Sequence, residues 1–174
     1  MRNPGWTKFL DIDTQIKAQS GVYEKMRNLA RLYSLDLRQI DLDINRTFRN
    51  NTAYKKRYNQ RQVQLYNILA AYSIYNTEIG YCQGMATVTA LLLMYLSDEE
   101  KTFWALSQLM SNSKYSLHGF FKQDFPKLIR YVDKHDMIIK TFLPKIHKKF
   151  VSQIIYLCRI INQNIQFLVI FRPF

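Results

Sequence analysis

The chain has 174 residues, of which 48% are hydrophobic and 14% aromatic, and its formal net charge is +12. Since a chain of this length buries about 70% of its unfolded surface, the composition predicts one folded domain and excludes intrinsic disorder. The two cysteines and three histidines lie far apart, and no apolar leader follows the first residues. We therefore expect a reduced, intracellular protein without a metal site.

Helices are the expected secondary structure, because five glycines and four prolines are too few for the repeated turns of a β-sandwich or barrel. Residues 16 to about 37 carry apolar side chains at three- and four-residue spacing, which predicts one amphipathic helix. Residues 41–53 are rich in Asn, Asp and Thr, which predicts a loop. Residues 61–75 are apolar on most faces, which predicts a central helix ending at Asn76 and Thr77.

The next helix is predicted just after Gly80 and Gly84, so that Gln83 lies at its start. Ser97 and Glu100 have the spacing of a capping box, which predicts a further helix beginning there. Pro126 is expected to open another. The first of these helices has apolar side chains at helical spacing, the second has a predicted buried face, and the third is expected to run through three apolar residues. In that order the residues are Met85, Val88, Leu91, Leu92, Tyr95 and Leu96, then Phe103, Trp104, Leu106 and Met110, then Leu128, Ile129 and Val132.

The segment from residue 151 onward is apolar and β-branched, but it contains Arg159, Asn162 and Asn164. These polar residues argue against a transmembrane helix. A buried terminal helix and an exposed, aggregation-prone segment both fit the pattern.

No acidic residue lies between Asp43 and Glu78, whereas six basic residues do. Such a stretch attracts an anionic partner, which could be a nucleic acid, a membrane surface or a nucleotide-bearing protein. A solvated helix face is the simpler interpretation. No homeodomain, zinc-finger or RNP motif supports nucleic-acid binding. The six basic residues are Arg46, Arg49, Lys55, Lys56, Arg57 and Arg61.

Several polar residues that lie among apolar ones belong to three short motifs. Taken alone, Arg46 would pair with Asp43 or with solvent, and Gln83 would cap a helix or bond to backbone. Tyr81 fits a core aromatic residue as well as a site residue, and Cys82 fits a small buried hydrophobe. In chain order the motifs are Arg-x-x-x-Trp at Arg2 and Trp6, Ile-x-x-Asp-x-x-Arg at Ile40, Asp43 and Arg46, and Tyr-x-Gln at Tyr81 and Gln83.

These motifs, in this order, resemble those of the TBC domain, the catalytic module of Rab GTPase-activating proteins. Residues 41–50, 70–85 and 103–110 resemble the RN-tre-like branch of that family. The resemblance implies an all-α, multi-helix fold. It covers residues 1–155, which we interpret as a partial TBC domain, finger-bearing in its N-terminal part and incomplete in its C-terminal part. Residues 156–174 are a divergent apolar tail.

The resemblance also implies a mechanism in which the chain supplies two side chains to GTP bound by a partner Rab. Arg46 would be the arginine finger and Gln83 the glutamine finger, with Asp43 orienting Arg46 and Tyr81 holding the glutamine loop. Arg2 and Trp6 would brace the finger loops. Partner contacts are expected at Asn45, Thr47 and Arg49.

On this interpretation the chain needs no cofactor of its own, because GTP and Mg²⁺ belong to the Rab. It would be cytoplasmic, recruited through the Rab to endosomal or Golgi membranes, and would bind no nucleic acid. The alternative is an inactive, truncated fragment that binds a Rab or regulates it without stimulating hydrolysis.

Overall fold

The computed structural model describes residues 3–122 and 125–149, with the side chains of Asn3 and Pro4 left aside. Every regular element in these ranges is helical, as the all-α expectation requires. No described helix has the length and apolar character needed to cross a bilayer. The elements are α1 Asn3–Phe9, α2 Ile12–Ala18, α3 Val22–Tyr33, α4 Leu37–Arg46, α5 Gln60–Tyr75, α6 Met85–Leu96, α7 Glu99–Ser111, a 3-10 helix Leu117–Phe120 and α8 Pro126–Phe142.

α5 is the central helix that its sequence predicts, because it packs against α3, α4, α6 and α7. Five of its apolar side chains are at most 1% exposed, on several faces of the helix. The core is completed by aromatic rings of α7, where the Phe103 and Trp104 ring centroids lie 5.0 Å apart. The buried α5 residues are Leu65, Ile68, Leu69, Ala71 and Tyr72.

The predicted helix over residues 16 to about 37 is wrong in its extent. α2 ends at Ala18, and α3 starts only after Gly21, its N-cap, which adopts a left-handed conformation with φ 76°. α3 then ends at Tyr33, which is 70% exposed rather than part of the buried stripe. The periodic pattern therefore predicted one helix where the structure has two successive helices.

The predicted loop over residues 41–53 is wrong for its first six residues, which form the end of α4. Ile40 and Ile44 are 0% and 3% exposed, and their burial on one face offsets the weak helix propensity of the Asp and Asn residues between them. The Asn45 amide bonds to the Asp41 carbonyl within the helix at 2.8 Å. Turns begin only at residue 47.

The N-cap of α7 is also different from the predicted Ser97. Asp98 takes this position, and its Oδ1 accepts the Lys101 backbone N–H at 2.8 Å. Ser97 instead ends α6 in a left-handed conformation with φ 59°. In α6, Leu91 is 47% exposed although its spacing predicted burial.

The described residues up to Phe125 form one compact unit and those from Pro126 onward form another. In the second unit, α8 begins at Pro126 as predicted, and residues 144–149 are also helical. His147 Nε2 lies 2.9 Å from Asp136 Oδ1. No residue of α8 is buried, Leu128, Ile129 and Val132 included. The apolar segment from residue 151, with Cys158, lies outside the described residues.

Candidate functional site

Arg46 is the last residue of α4, and its side chain is 56% exposed. The chain leaves the helix through a hydrogen bond from the Thr47 hydroxyl to the Asp43 carbonyl at 2.7 Å, which satisfies one of the free carbonyls of the last turn. Phe48 follows with φ 47°, an unfavourable conformation for a residue with a side chain. Its ring packs 6.2 Å from that of buried Tyr54, which holds this turn in place.

Asp43 connects this helix end to a second segment of the chain. Its carboxylate is 3% exposed, and Arg46 Nη2 lies 2.6 Å from Oδ1. Gln39 Nε2 donates to the same oxygen at 2.9 Å, and the Tyr81 hydroxyl donates to Oδ2 at 2.8 Å. A buried carboxylate requires such partners, and here they also fix the direction of the Arg46 guanidinium.

Tyr81 belongs to the turn that leads into α6, which we call the glutamine loop (residues 80–84). Two glycines with positive φ bracket this loop, Gly80 at 62° and Gly84 at 100°. The Tyr81 backbone N–H donates to Asp36 Oδ2 at 3.0 Å. Gln83 is exposed at the tip, two residues before the first residue of α6.

The ionisable groups of the loop are held in their neutral forms. Burial raises the pKa of the Tyr81 phenol well above its usual range, and the neighbouring Asp43 carboxylate raises it further. Burial also raises the pKa of the Cys82 thiol, with Asp43 adding to the effect. Cys82 therefore has no thiolate character; it is half-buried and packs against the core, whereas the sequence predicted a buried residue.

The opposite side of the loop is held by the segment around the 3-10 helix. Lys122 Nζ lies 2.6 Å from Glu78 Oε1, and His118 Nε2 lies 3.1 Å from Glu78 Oε2. The hydrogen bond and charge of Lys122 lower the pKa of Glu78, with a smaller contribution from His118. A Cβ on Gly84 would lie 3.6 Å from the Phe121 ring. Residues 118–122 therefore hold the chain just before the glutamine loop and lie close to its second glycine.

Positive charge surrounds the Arg46 end of the site. We define the basic loop as residues 46–57, in which Arg46, Arg49, Lys55, Lys56 and Arg57 are all exposed. Arg61 differs, because its guanidinium bonds to the Ser97 hydroxyl at 3.2 Å. An open depression next to Arg46 is lined by Phe48, Arg49, Asn50 and Asn51. No group of described His, Cys, Asp or Glu side chains has the arrangement of a metal site.

A family model for the Rab-GTPase-TBC domain matches residues 1–170. The chain belongs to this family. It is 34% identical over 110 residues to growth hormone-regulated TBC protein 1 of Xenopus laevis, an alignment that covers 63% of this chain and 32% of that protein. The chain thus spans about a third of the length of that relative.

The fold of this TBC domain is similar to a solved structure, the crystal structure of the Chlamydomonas flagellar RabGAP TBC domain. The TM-score is 0.69 at 24% identity, over 86% of this chain and 48% of that one. At this identity the similarity supports the fold alone. The RN-tre-like branch, the boundary at residue 155 and the site roles remain predictions.

The tertiary structure brings two of the three TBC motifs together. Ile40 is a fully buried core residue that anchors α4, while Asp43 and Arg46 meet the glutamine loop through Tyr81. Tyr81 is both a packing residue of the core and a site residue, so the two interpretations of it are compatible. No side-chain hydrogen bond within the described residues engages the Gln83 amide, which leaves it available to a partner.

The first TBC motif, at Arg2 and Trp6, has no described contact with the glutamine loop. Trp6 packs against Phe9 and against Tyr95, at the C-terminal end of α6, whereas the glutamine loop precedes the N-terminal end of that helix. Any support from Trp6 to the finger loops is therefore indirect. Arg2 lies outside the described residues.

Of the three expected partner contacts, only Arg49 is exposed. Thr47 is 7% exposed, and its hydroxyl bonds to the Asp43 carbonyl within the turn; its role as a partner contact stays a prediction. Asn45 is partly buried, and its amide bonds to Asp41.

Sequence reasoning missed Asp36 and Gln39, which both touch the site. Gln39 precedes Asp43 by four residues, a spacing that places them on the same helix face, so recognising α4 would have suggested the contact. Asp36 immediately precedes α4 and has the sequence position of an N-cap, yet its side chain makes no cap hydrogen bond. Its partner is 45 residues away, and no local pattern indicates that contact.

Proposed function

We propose that this TBC domain accelerates GTP hydrolysis by a Rab-family GTPase, with Arg46 and Gln83 donated to the partner's nucleotide site. The observation that supports this most directly is the chain of contacts Arg46–Asp43–Tyr81, which joins the arginine helix to the glutamine loop at 2.6 and 2.8 Å. Family membership supports the partner class, since the matching domain is that of proteins acting on Rab GTPases.

The chemistry requires little from the activator beyond charge and position. Phosphoryl transfer spreads negative charge over the transferring group, and a guanidinium placed beside it contributes about 10³- to 10⁵-fold in rate. That factor corresponds to about 4 to 7 kcal/mol. The Arg46 side chain is 56% exposed, and its guanidinium is oriented by the ion pair of Nη2 with Asp43, so a partner could approach it in a defined position. Gln83 would orient the attacking water, and the GTP and Mg²⁺ are those of the partner.

The basic loop supports the same partner. Four exposed cations next to Arg46, namely Arg49, Lys55, Lys56 and Arg57, provide a positive potential toward an anionic nucleotide site and its acidic surroundings. Binding to a Rab would also bring the domain to the membrane on which that Rab resides.

The test is a single-turnover hydrolysis assay with the purified chain and a panel of GTP-loaded Rab proteins. We expect at least one Rab to be stimulated. Arg46→Ala should lower its stimulated rate about 10³-fold or more, and Gln83→Ala about 10²-fold or more, because each removes a group used at the transition state.

Matched controls come from α4 and from the start of α5. Arg38→Ala removes an exposed arginine from α4 and Gln60→Ala an exposed glutamine from α5, and both should leave the rate unchanged. If no Rab is stimulated, the proposed activity is wrong. Binding of a Rab without stimulation would instead support an inactive, Rab-binding role.

A further inference from the structure

We infer that Asp36 is a positioning residue for Gln83, a role that rests on the proposed function. Asp36 precedes α4 and would ordinarily cap it, but its Oδ2 instead accepts the Tyr81 backbone N–H at 3.0 Å. The backbone of the glutamine loop is therefore attached to the start of the helix whose other end carries Arg46.

The geometry makes this attachment one of two along the same helix face. Asp36 and Asp43 are seven residues apart, which is close to two turns and about 10 Å along a helix axis. Asp36 holds the backbone of Tyr81, and Asp43 holds its hydroxyl. Tyr81 is thus fixed at both ends against α4, which leaves little freedom to Cys82, the one residue between Tyr81 and Gln83.

The contact between Asp36 and the Tyr81 backbone requires a glycine at position 80. A Cβ at this position would lie 3.0 Å from Asp36 Oδ2, and the φ of 62° is itself unfavourable for any other residue. A side chain here would push the carboxylate away from the Tyr81 N–H. The glycine therefore permits the close approach that lets a carboxylate reach the backbone.

Asp36 is itself held from the side of the core. Its backbone N–H donates to the Ser34 hydroxyl at 3.3 Å, and that hydroxyl lies 2.7 Å from the Ser73 hydroxyl of α5. Ser73 Oγ in turn donates to the Ala70 carbonyl at 2.8 Å. The backbone of Asp36 is therefore tied through Ser34 to the central helix, so that its carboxylate can fix the loop rather than follow it.

The role has a measurable consequence for hydrolysis. Loss of the Asp36 carboxylate leaves the loop attached to α4 only through the Tyr81 hydroxyl, so Gln83 would be misplaced relative to Arg46. A misplacement on the order of 1 Å in a catalytic geometry costs up to about 10²-fold in rate. For Asp36→Ala we expect kcat to fall about 10- to 100-fold while KM for the GTP-loaded Rab stays within about twofold.

Three comparisons separate positioning from general loss of stability. Asp36→Asn keeps an acceptor oxygen and should recover most of kcat. Asp98→Ala also removes a carboxylate that accepts a backbone N–H, at 2.8 Å in α7, and should leave kcat unchanged. Asp36→Ala added to Gln83→Ala should cause no further loss, because the first acts through the second.

A second measurement needs no Rab. Amide hydrogen exchange at Tyr81 should become about 10-fold faster or more in Asp36→Ala and return toward the wild-type rate in Asp36→Asn. If no Rab is stimulated, the proposed function fails, and this exchange rate alone decides whether Asp36 holds the loop. Unchanged amide exchange at Tyr81 in Asp36→Ala overturns the inference, and so does an unchanged kcat in that variant. It is also overturned if Asp98→Ala lowers kcat equally, or if Asp36→Ala lowers kcat by its full factor in the Gln83→Ala background.

Discussion

Replacing Tyr81 by Phe removes a single hydroxyl from the contact that joins the two predicted fingers. That hydroxyl donates to Asp43 Oδ2 at 2.8 Å, while Arg46 and Gln39 both contact Oδ1. The substitution therefore leaves Oδ2 of a carboxylate that is 3% exposed without its side-chain donor. The aromatic ring keeps its packing, so the change is confined to one hydrogen bond.

The expected size follows from the charge on the acceptor. A hydrogen bond to a charged group contributes about 1.5 to 3 kcal/mol, so we expect the free energy of unfolding to fall by about 2 kcal/mol. If all of this energy served to orient Arg46, the rate would fall about 30-fold. Because the Arg46–Asp43 ion pair remains, we expect the stimulated kcat to fall about 3- to 30-fold.

Urea unfolding gives the stability and single-turnover hydrolysis gives the rate. Tyr23→Phe is the matched control, because the Tyr23 hydroxyl donates to the Glu99 carboxylate at 2.6 Å, at the junction of α3 and α7. It should lower the stability by a similar amount and leave kcat unchanged. The reasoning is refuted if Tyr81→Phe is as stable and as active as the wild type, or if both variants lose the same activity.

Two further predictions concern pH and salt. Burial raises the pKa of Tyr72 to about 12, so the unfolded chain loses this proton first, and the contribution of Tyr72 to stability should be complete below pH 10 and fall by about 2 to 3 kcal/mol as the pH rises to 12. Urea unfolding of the wild type and of Tyr72→Phe between pH 8 and 12 measures this contribution as a difference, and an equally steep fall in Tyr72→Phe would contradict the assignment. For the basic loop, the double variant Lys55→Glu and Lys56→Glu should raise KM for the Rab severalfold at low ionic strength and leave kcat unchanged. At about 0.5 M salt the difference in KM should be smaller, because salt screens the charges. The same change in KM at both ionic strengths would exclude steering by this loop.

The helices that sequence patterns predicted well are those with a simple reason to form. α5 is apolar on most faces and ends at Asn76, and the start of α8 is marked by Pro126. The errors arose where burial outweighed local propensity, as in residues 41–46, where Ile40 and Ile44 draw a polar segment into α4. Another error arose at the start of α7, where Asp98 rather than Ser97 is the N-cap.

The sequence by itself determined the fold class, the family and the two candidate fingers, because each rests on residues close together in the chain. Only the tertiary structure decided how those fingers are held. The Tyr81–Asp43 and Tyr81–Asp36 hydrogen bonds join residues 38 and 45 positions apart, and such contacts depend on how α4 packs against the core rather than on any local pattern. The same packing buries Thr47 and leaves Arg49 exposed, a distinction that two polar residues in one turn do not reveal in sequence.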